Sequence, residues 1–207
     1  PSSSSAASDV YKRQVIFFIL RGENMSRPCD LDAIEARRLI GNKKLSPLEL
    51  TKSCIEQIEK LNPSINAVVA INNADVLKQA KKAEDDVMSG SELGLLHGLP
   101  VGIKDLNIVK NLRSTSGSKI YENRIPESDD TIVEDMRSEG AIIFCKTNTP
   151  EFGAGGNTKN FVYGATSNPF DLTKTPAGSS GGSAAALACN MMPLANGSDY
   201  GLSLIHI

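Results

Sequence analysis

The stretch "LPVGIKDL" (Leu99–Leu106) decides how this sequence is read, because it has the look of a buried strand that runs straight into two charged residues, Lys104 and Asp105. Working outward, "AIIFCK" (Ala141–Lys146) is the most convincing strand in the chain, and the residues before it, Thr131 to Glu139, predict a helix ended by Gly140. Between the two strands lies a loop rich in Ser, Thr and Gly, Ser114 to Ser118. Upstream, Ala74 to Met88 predicts an amphipathic helix with lysines and acids outward, stopped by Gly90, and "AVVAI" (Ala67–Ile71) a short β-branched strand. Ser46-Pro47 predicts a helix start, with Leu50, Cys54, Ile58 and Leu61 on one stripe until Asn62-Pro63 ends it. Leu31, Ile34, Leu39 and Ile40 recur at helical spacing before that. Helices and strands alternating through short turns predict an α/β layer structure with a largely parallel central sheet. No internal repeat and no independent domain boundary is evident.

The totals agree with an ordinary globular chain: 207 residues, 40% hydrophobic and 22% charged. A formal charge of -2, with both signs mixed along the chain, provides no field to attract nucleic acid or an anionic membrane. Cys29, Cys54, Cys145 and Cys189 are far apart and have no zinc-like spacing, so they read as structural thiols in a reducing, cytoplasmic compartment, with no metal expected. The apolar run Val15 to Leu20 is much shorter than the ~20 residues of a spanning helix.

The two ends are related to each other. "DVYKRQ" (Asp9–Gln14) can be encoded by GAT GTG TAT AAG AGA CAG, whose reverse complement translates as Leu-Ser-Leu-Ile-His-Ile, which is Leu202–Ile207. That DNA resembles a transposon end used in preparing sequencing libraries. Residues 1–24 are therefore expected to be scar plus leader without ordered structure, 25–201 the N-terminal portion of a single domain beginning at Met25, and 202–207 a second scar.

"TPAGSSGGSAAALA" (Thr175–Ala188) runs from a glycine-serine loop into an alanine-rich helix start, which leaves backbone N–H groups facing outward to receive a phosphate or a developing oxyanion. No lysine follows Gly182, as a phosphate loop of the Walker type requires. A serine hydrolase needs a base. His97, which precedes a strand, reads as structural, whereas desolvation of Lys104 at the end of an apolar strand favours the neutral amine that can accept a proton.

Four segments, "LHGLPVGIKDL", "KTNTPEFGAGGNT", "SNPFDLTKTPAGSSGGSAAALA" and "NGSDYG", occur in the order and spacing of the amidase signature family, and the sequence closely resembles that family from about Asp30 to Gly201. The resemblance implies the N-terminal part of the amidase signature fold, a mixed, largely parallel sheet flanked by helices, truncated here. It also implies a Ser–cis-Ser–Lys triad that hydrolyses amides, with no cofactor. Lys104 matches the general base and Ser179 the bridging serine whose preceding peptide bond is cis. Ser203 stands where the family nucleophile stands, in a G-S-D-x-G-G-S pattern matched by Gly197 to Gly201 and broken by Leu202. Backbone N–H groups of Tyr200, Gly201, Leu202 and Ser203 match the oxyanion hole. Because Leu202 and Ser203 fall in the scar, the natural gene is expected to read Gly-Ser at these two positions.

The resemblance further implies an amidase acting on a small-molecule amide, without a direct nucleic-acid or membrane partner, either as a homodimer or beside a partner subunit of an amidotransferase. Two alternatives stand beside it. One is the glutaminase-type subunit of a glutamyl-tRNA(Gln)-type amidotransferase, which releases ammonia from glutamine to a partner. The other is a phosphate- or nucleotide-binding module using "GSSGGS" and "GAGGNT" as anion cradles. Family members are more than twice as long, so a chain of this length is expected to leave part of its core exposed and to be inactive alone.

Overall fold

The structure is a computed structural model that describes residues 27–200. Among the described residues, five α-helices and six strands succeed one another as α1 (Ala33–Gly41), α2 (Pro47–Ile65), β1 (Val68–Ile71), α3 (Asn73–Ser89), β2 (Pro100–Lys104), α4 (Thr131–Ser138), β3 (Ile142–Thr147), β4 (Lys159–Asn160), β5 (Gly164–Ala165), α5 (Gly181–Ala188) and β6 (Leu194–Ala195). The central sheet has the order β1-β3-β2-β6. β2 runs parallel to both β3 and β6, while β1 is antiparallel to β3, so the sheet is mixed with a parallel centre. Helices flank this sheet, as the alternation in the sequence predicts.

Every residue of β2 and β3 is buried, which is why both read as near-continuous apolar runs rather than alternating ones. Side chains divide between two faces, with a register shift at Val101/Gly102 that leaves both Phe144 and Cys145 in one core. Val101, Ile103 and Ile143 pack with Val109, Val133 and Ala141 on one face. Leu99, Ile142, Phe144 and Met192 join α1, α2, α3 and α5 in the larger core on the other. At Gly102 a Cβ would stand 2.3 Å from Met192 Sδ, so the chain after α5 lies directly on the bare backbone of β2. Lys104, two residues further along, shares that face with Gly102.

One helix boundary and one helix face differ from the sequence reading. α2 does not end at Asn62-Pro63 but continues to Ile65, with Pro63 in its last turn. Asn62 offsets the proline: its Oδ1 accepts from the N–H groups of Ala67 and Val68, its Nδ2 donates to Val68 O, and Asn66 closes the helix in the left-handed region with φ 55. In α1, capped by Asp32 through Glu35 N, the buried positions are Ala36 and Ile40. Ile34 is 84% exposed and is not on the core stripe.

On the face of Ile103, Lys146 of β3 and Asp105 form an ion pair at 3.1 Å, with both side chains fully buried. Asp105 also accepts from Thr115 N and Thr115 Oγ1, and Lys146 donates to Asn107 O and Ser114 Oγ. Burial lowers the lysine pKa and the neighbouring carboxylate opposes that shift. The pair ties the end of β2 to the loop of Ser114 to Ser118 and fixes the direction in which the chain leaves Lys104.

Two measurements check this packing. Lys146→Met leaves a buried carboxylate without its counter-charge and is expected to cost about 3–5 kcal/mol in urea unfolding. At Gly182 of α5 a Cβ would meet the backbone of Asn148 at 2.3 Å, so Gly182→Ala is expected to cost about 1–3 kcal/mol, whereas Gly156→Ala, where no atom lies within 4 Å, stays within about 0.5 kcal/mol of the parent.

Candidate active site

The site forms where the end of β2, the start of α5 and the chain after β6 meet. Lys104 is fully buried, and its backbone N–H donates to Asn196 Oδ1 at 2.6 Å. Asn196 is held in turn by its Nδ2 on Asn107 Oδ1, its N–H on Gly102 O, and its carbonyl accepting from Ser183 Oγ of α5. Thr147 at the end of β3 shares a hydrogen bond of 2.7 Å with the same Ser183 hydroxyl. Lys104 is therefore clamped at its backbone by the segment that continues into "NGSDYG".

The Lys104 amine reaches the start of α5, where it donates to Ser179 Oγ at 2.7 Å and to Ser180 Oγ at 2.9 Å. It donates as well to Ser198 Oγ at 2.8 Å. Its pKa is lowered to about 8, chiefly by burial, with the charge of Asp199 acting in the opposite direction. An amine surrounded by hydroxyls gains less from being charged than one beside a carboxylate, so close to neutral pH it can release and accept a proton.

Ser179 is held from both sides. The Gly178–Ser179 peptide bond is cis. The Ser179 carbonyl accepts from Thr149 Oγ1 at 3.2 Å. Thr158 latches the preceding turn: its N–H and Oγ1 both donate to Ala177 O, and its Oγ1 accepts from Gly181 N. Both outer loops singled out in the sequence, "KTNTPEFGAGGNT" and the glycine-serine run, thus act on the same turn.

Of the residues expected in the site, Lys104 and Ser179 lie within hydrogen-bond distance of each other, and Tyr200 lies exposed beyond Asp199. Gly201, Leu202 and Ser203 lie outside the described residues, as do both terminal segments. His97 stays apart from this network: it is buried, with Nε2 3.0 Å from Ala83 O, which places the ring proton on that nitrogen. All four cysteines are buried and free, and burial pushes the thiols of Cys54 and Cys145 up.

Sequence reasoning missed Ser180, Ser198 and Asn196. Ser180 was visible only as the second serine of a glycine-serine run, and neither spacing nor residue type marks the other two as neighbours of a lysine some ninety positions earlier. The anion-cradle alternative loses two of its donors, because Gly181 N and Gly182 N are taken by Thr158 Oγ1 and Asn148 O. Among the described residues no group of three or more His, Cys, Asp or Glu side chains could hold a metal, and no helix is long and apolar enough to cross a membrane.

Comparison with known proteins addresses the same region. The Amidase family model matches residues 49–205. A glutamyl-tRNA(Gln) amidotransferase subunit from Clostridium botulinum (strain Eklund 17B / Type B) is 42% identical over 172 residues, covering 83% of this chain and 36% of that protein. The subunit of the same name from Acaryochloris marina is 41% identical over 162 residues, covering 78% and 34%. Among solved structures, an amidase superposes with a TM-score of 0.77 at 32% identity, covering 84% of this chain and 39% of that one. A bacterial aryl acylamidase of the amidase signature enzymes gives a TM-score of 0.75 at 34% identity, covering 80% and 34%. The chain spans about a third of the length of the curated relatives it matches. A buried lysine on a serine at the head of a glycine-rich helix start, in a chain with these likenesses, has one placement: the chain belongs to the amidase signature family.

Proposed function

We propose that this chain supplies the base and the bridging serine of an amide hydrolase working through a Ser–cis-Ser–Lys triad, and that it is the N-terminal portion of the enzyme. The observation that carries the reading is the buried Lys104 amine 2.7 Å from Ser179 Oγ, with its pKa brought down to about 8. In this mechanism neutral Lys104 takes a proton from Ser179, and Ser179 takes one from the hydroxyl of a serine at position 203 as it attacks the amide carbonyl. The C–N bond of the tetrahedral intermediate then breaks, and the amine or ammonia leaves with the proton returned along the same relay. Water hydrolyses the acyl-enzyme. Backbone N–H groups of the stretch Tyr200 to Ser203 hold the oxyanion, where loss of one donor typically costs about 10²–10³ in rate.

A second reading, the amidotransferase subunit that draws ammonia from glutamine, is supported by the 42% identity to the Clostridium protein, above the 32% and 34% shared with the two amidase structures. Both readings use the same relay. They differ in the acyl group and in whether a partner subunit is needed.

In the gene product that continues past Gly201, with glycine and serine expected in place of Leu202 and Ser203, Lys104→Met is expected to lower kcat/KM for an amide by about 10²–10⁴. The base works only when neutral, and its neutral fraction grows as pH rises. Consequently kcat/KM should climb about tenfold per pH unit below the lysine pKa of about 8 and level off above it. A profile that falls on raising the pH through that range contradicts the assignment. The 207-residue chain alone is expected to hydrolyse no amide, as followed by ammonia release. Ammonia released from glutamine only when an amidotransferase partner subunit is added selects the second reading, and hydrolysis of simple amides without one selects the first.

A further inference from the structure

Lys104 Nζ is surrounded by three hydroxyls, and the triad accounts for one of them. Ser179, Ser180 and Ser198 lie 2.7, 2.9 and 2.8 Å from it. The Ser198 carbonyl stands farther off, at 3.5 Å. An ammonium has three N–H donors and a neutral amine two, so the three close hydroxyls match the charged form. Ser180 can only accept from the lysine. Its own proton goes to Ser198 O at 3.1 Å, and its oxygen also accepts from Ser198 N at 3.1 Å, which leaves one lone pair for Nζ. The same two bonds tie the start of α5 to the loop that carries Ser198.

We propose that Ser180 and Ser198 are positioning residues of the proton relay, completing a cage of three acceptors that receives the Lys104 ammonium at the moment it takes the proton from Ser179. In the neutral state the amine keeps two N–H donors and needs one hydroxyl to turn its proton inward. Ser180 cannot do so, its proton being committed to Ser198 O, and this leaves the inward proton to Ser179 or Ser198. Once the amine is protonated, each of its N–H groups finds an oxygen without any movement of the chain. Among the described residues, the other charged and titratable groups around the amine are few. Asp199 acts on it from the loop after β6, α5 carries no titratable side chain over Gly181–Ala188, and β3 brings Cys145, held protonated by burial, and Lys146, engaged with Asp105 on the opposite face.

The catalytic meaning of the cage rests on the amide-hydrolase reading above, but the cage can be tested separately. In the gene product that continues past Gly201, the Lys104 side-chain carbon resonance, assigned by its loss in Lys104→Arg, is followed against pH in the parent, Ser198→Thr, Ser198→Val and Ser180→Ala. Thr and Val have the same shape, so the pair differs only by the hydroxyl and keeps water from filling the place. Removing one acceptor disfavours the charged amine. Ser198→Val and Ser180→Ala are therefore expected to lower the titration midpoint by about half to one pH unit, and Ser198→Thr to leave it at the parent value. The midpoint of kcat/KM against pH should move by the same amount, with a lower plateau, whereas partial unfolding lowers the plateau without moving the midpoint. An unchanged or raised midpoint in both Ser198→Val and Ser180→Ala overturns the cage. If the resonance shifts as expected while Lys104→Met retains full amide turnover, the cage stands and the hydrolase reading fails.

Discussion

The site depends on one constraint: a lysine amine is taken out of water and given hydroxyls, not a carboxylate, as its hydrogen-bonding partners. Burial penalises the ammonium, and hydroxyls at 2.7 to 2.9 Å return only part of what water supplied, so the pKa comes down to about 8. The negative charge of Asp199 opposes the shift without abolishing it. A group balanced in this way is useful for moving protons at neutral pH. A surface lysine is not.

The contrast with Lys146 makes the point within one sheet. Both lysines are fully buried, on neighbouring parallel strands and close to the same strand ends. Their side chains leave opposite faces because direction alternates along a strand. Lys146 meets the carboxylate of Asp105 and serves as a tie between strand and loop. Lys104 meets the serines of the glycine-rich turn. Adjacent residues, Lys104 and Asp105, are thereby divided between a cluster of serine hydroxyls on one face and a structural ion pair on the other.

The serines can come this close because the elements behind them are bare. Gly102 lets the chain after α5 lie on β2, and Gly182 lets the start of α5 touch the backbone of Asn148. A methyl group at Gly182 meets rigid backbone and forces the start of α5 outward, and the turn bearing Ser179 and Ser180 with it, whereas at Gly102 it meets the Met192 thioether. Thr158 and Thr149 then hold that turn through its carbonyls, so the hydroxyls face the amine while the backbone is anchored from behind.

Much of this architecture was legible in the residues. The apolar runs of β2 and β3, the capped start of α2 at Ser46, the stop at Gly90 and the order of elements follow from local preference and periodicity, which act within a few residues. Local preference also misled: Pro63 signalled a helix end that the side-chain bonds of Asn62 postponed, and Ile34 lay on an apparent stripe whose other members pack on the core while it stays exposed. Lys104 and Ser179 were legible through the order of four motifs, not through any property of either residue alone. Ser180, Ser198 and Asn196 were not, because a serine or an asparagine acquires its role from what lies across from it. Sequence alone determined that a lysine ends an apolar strand and that a glycine-serine turn opens a helix. Only the tertiary structure decided that the two meet, because hydrogen bonds between groups far apart in the chain exist only after the sheet and α5 have packed.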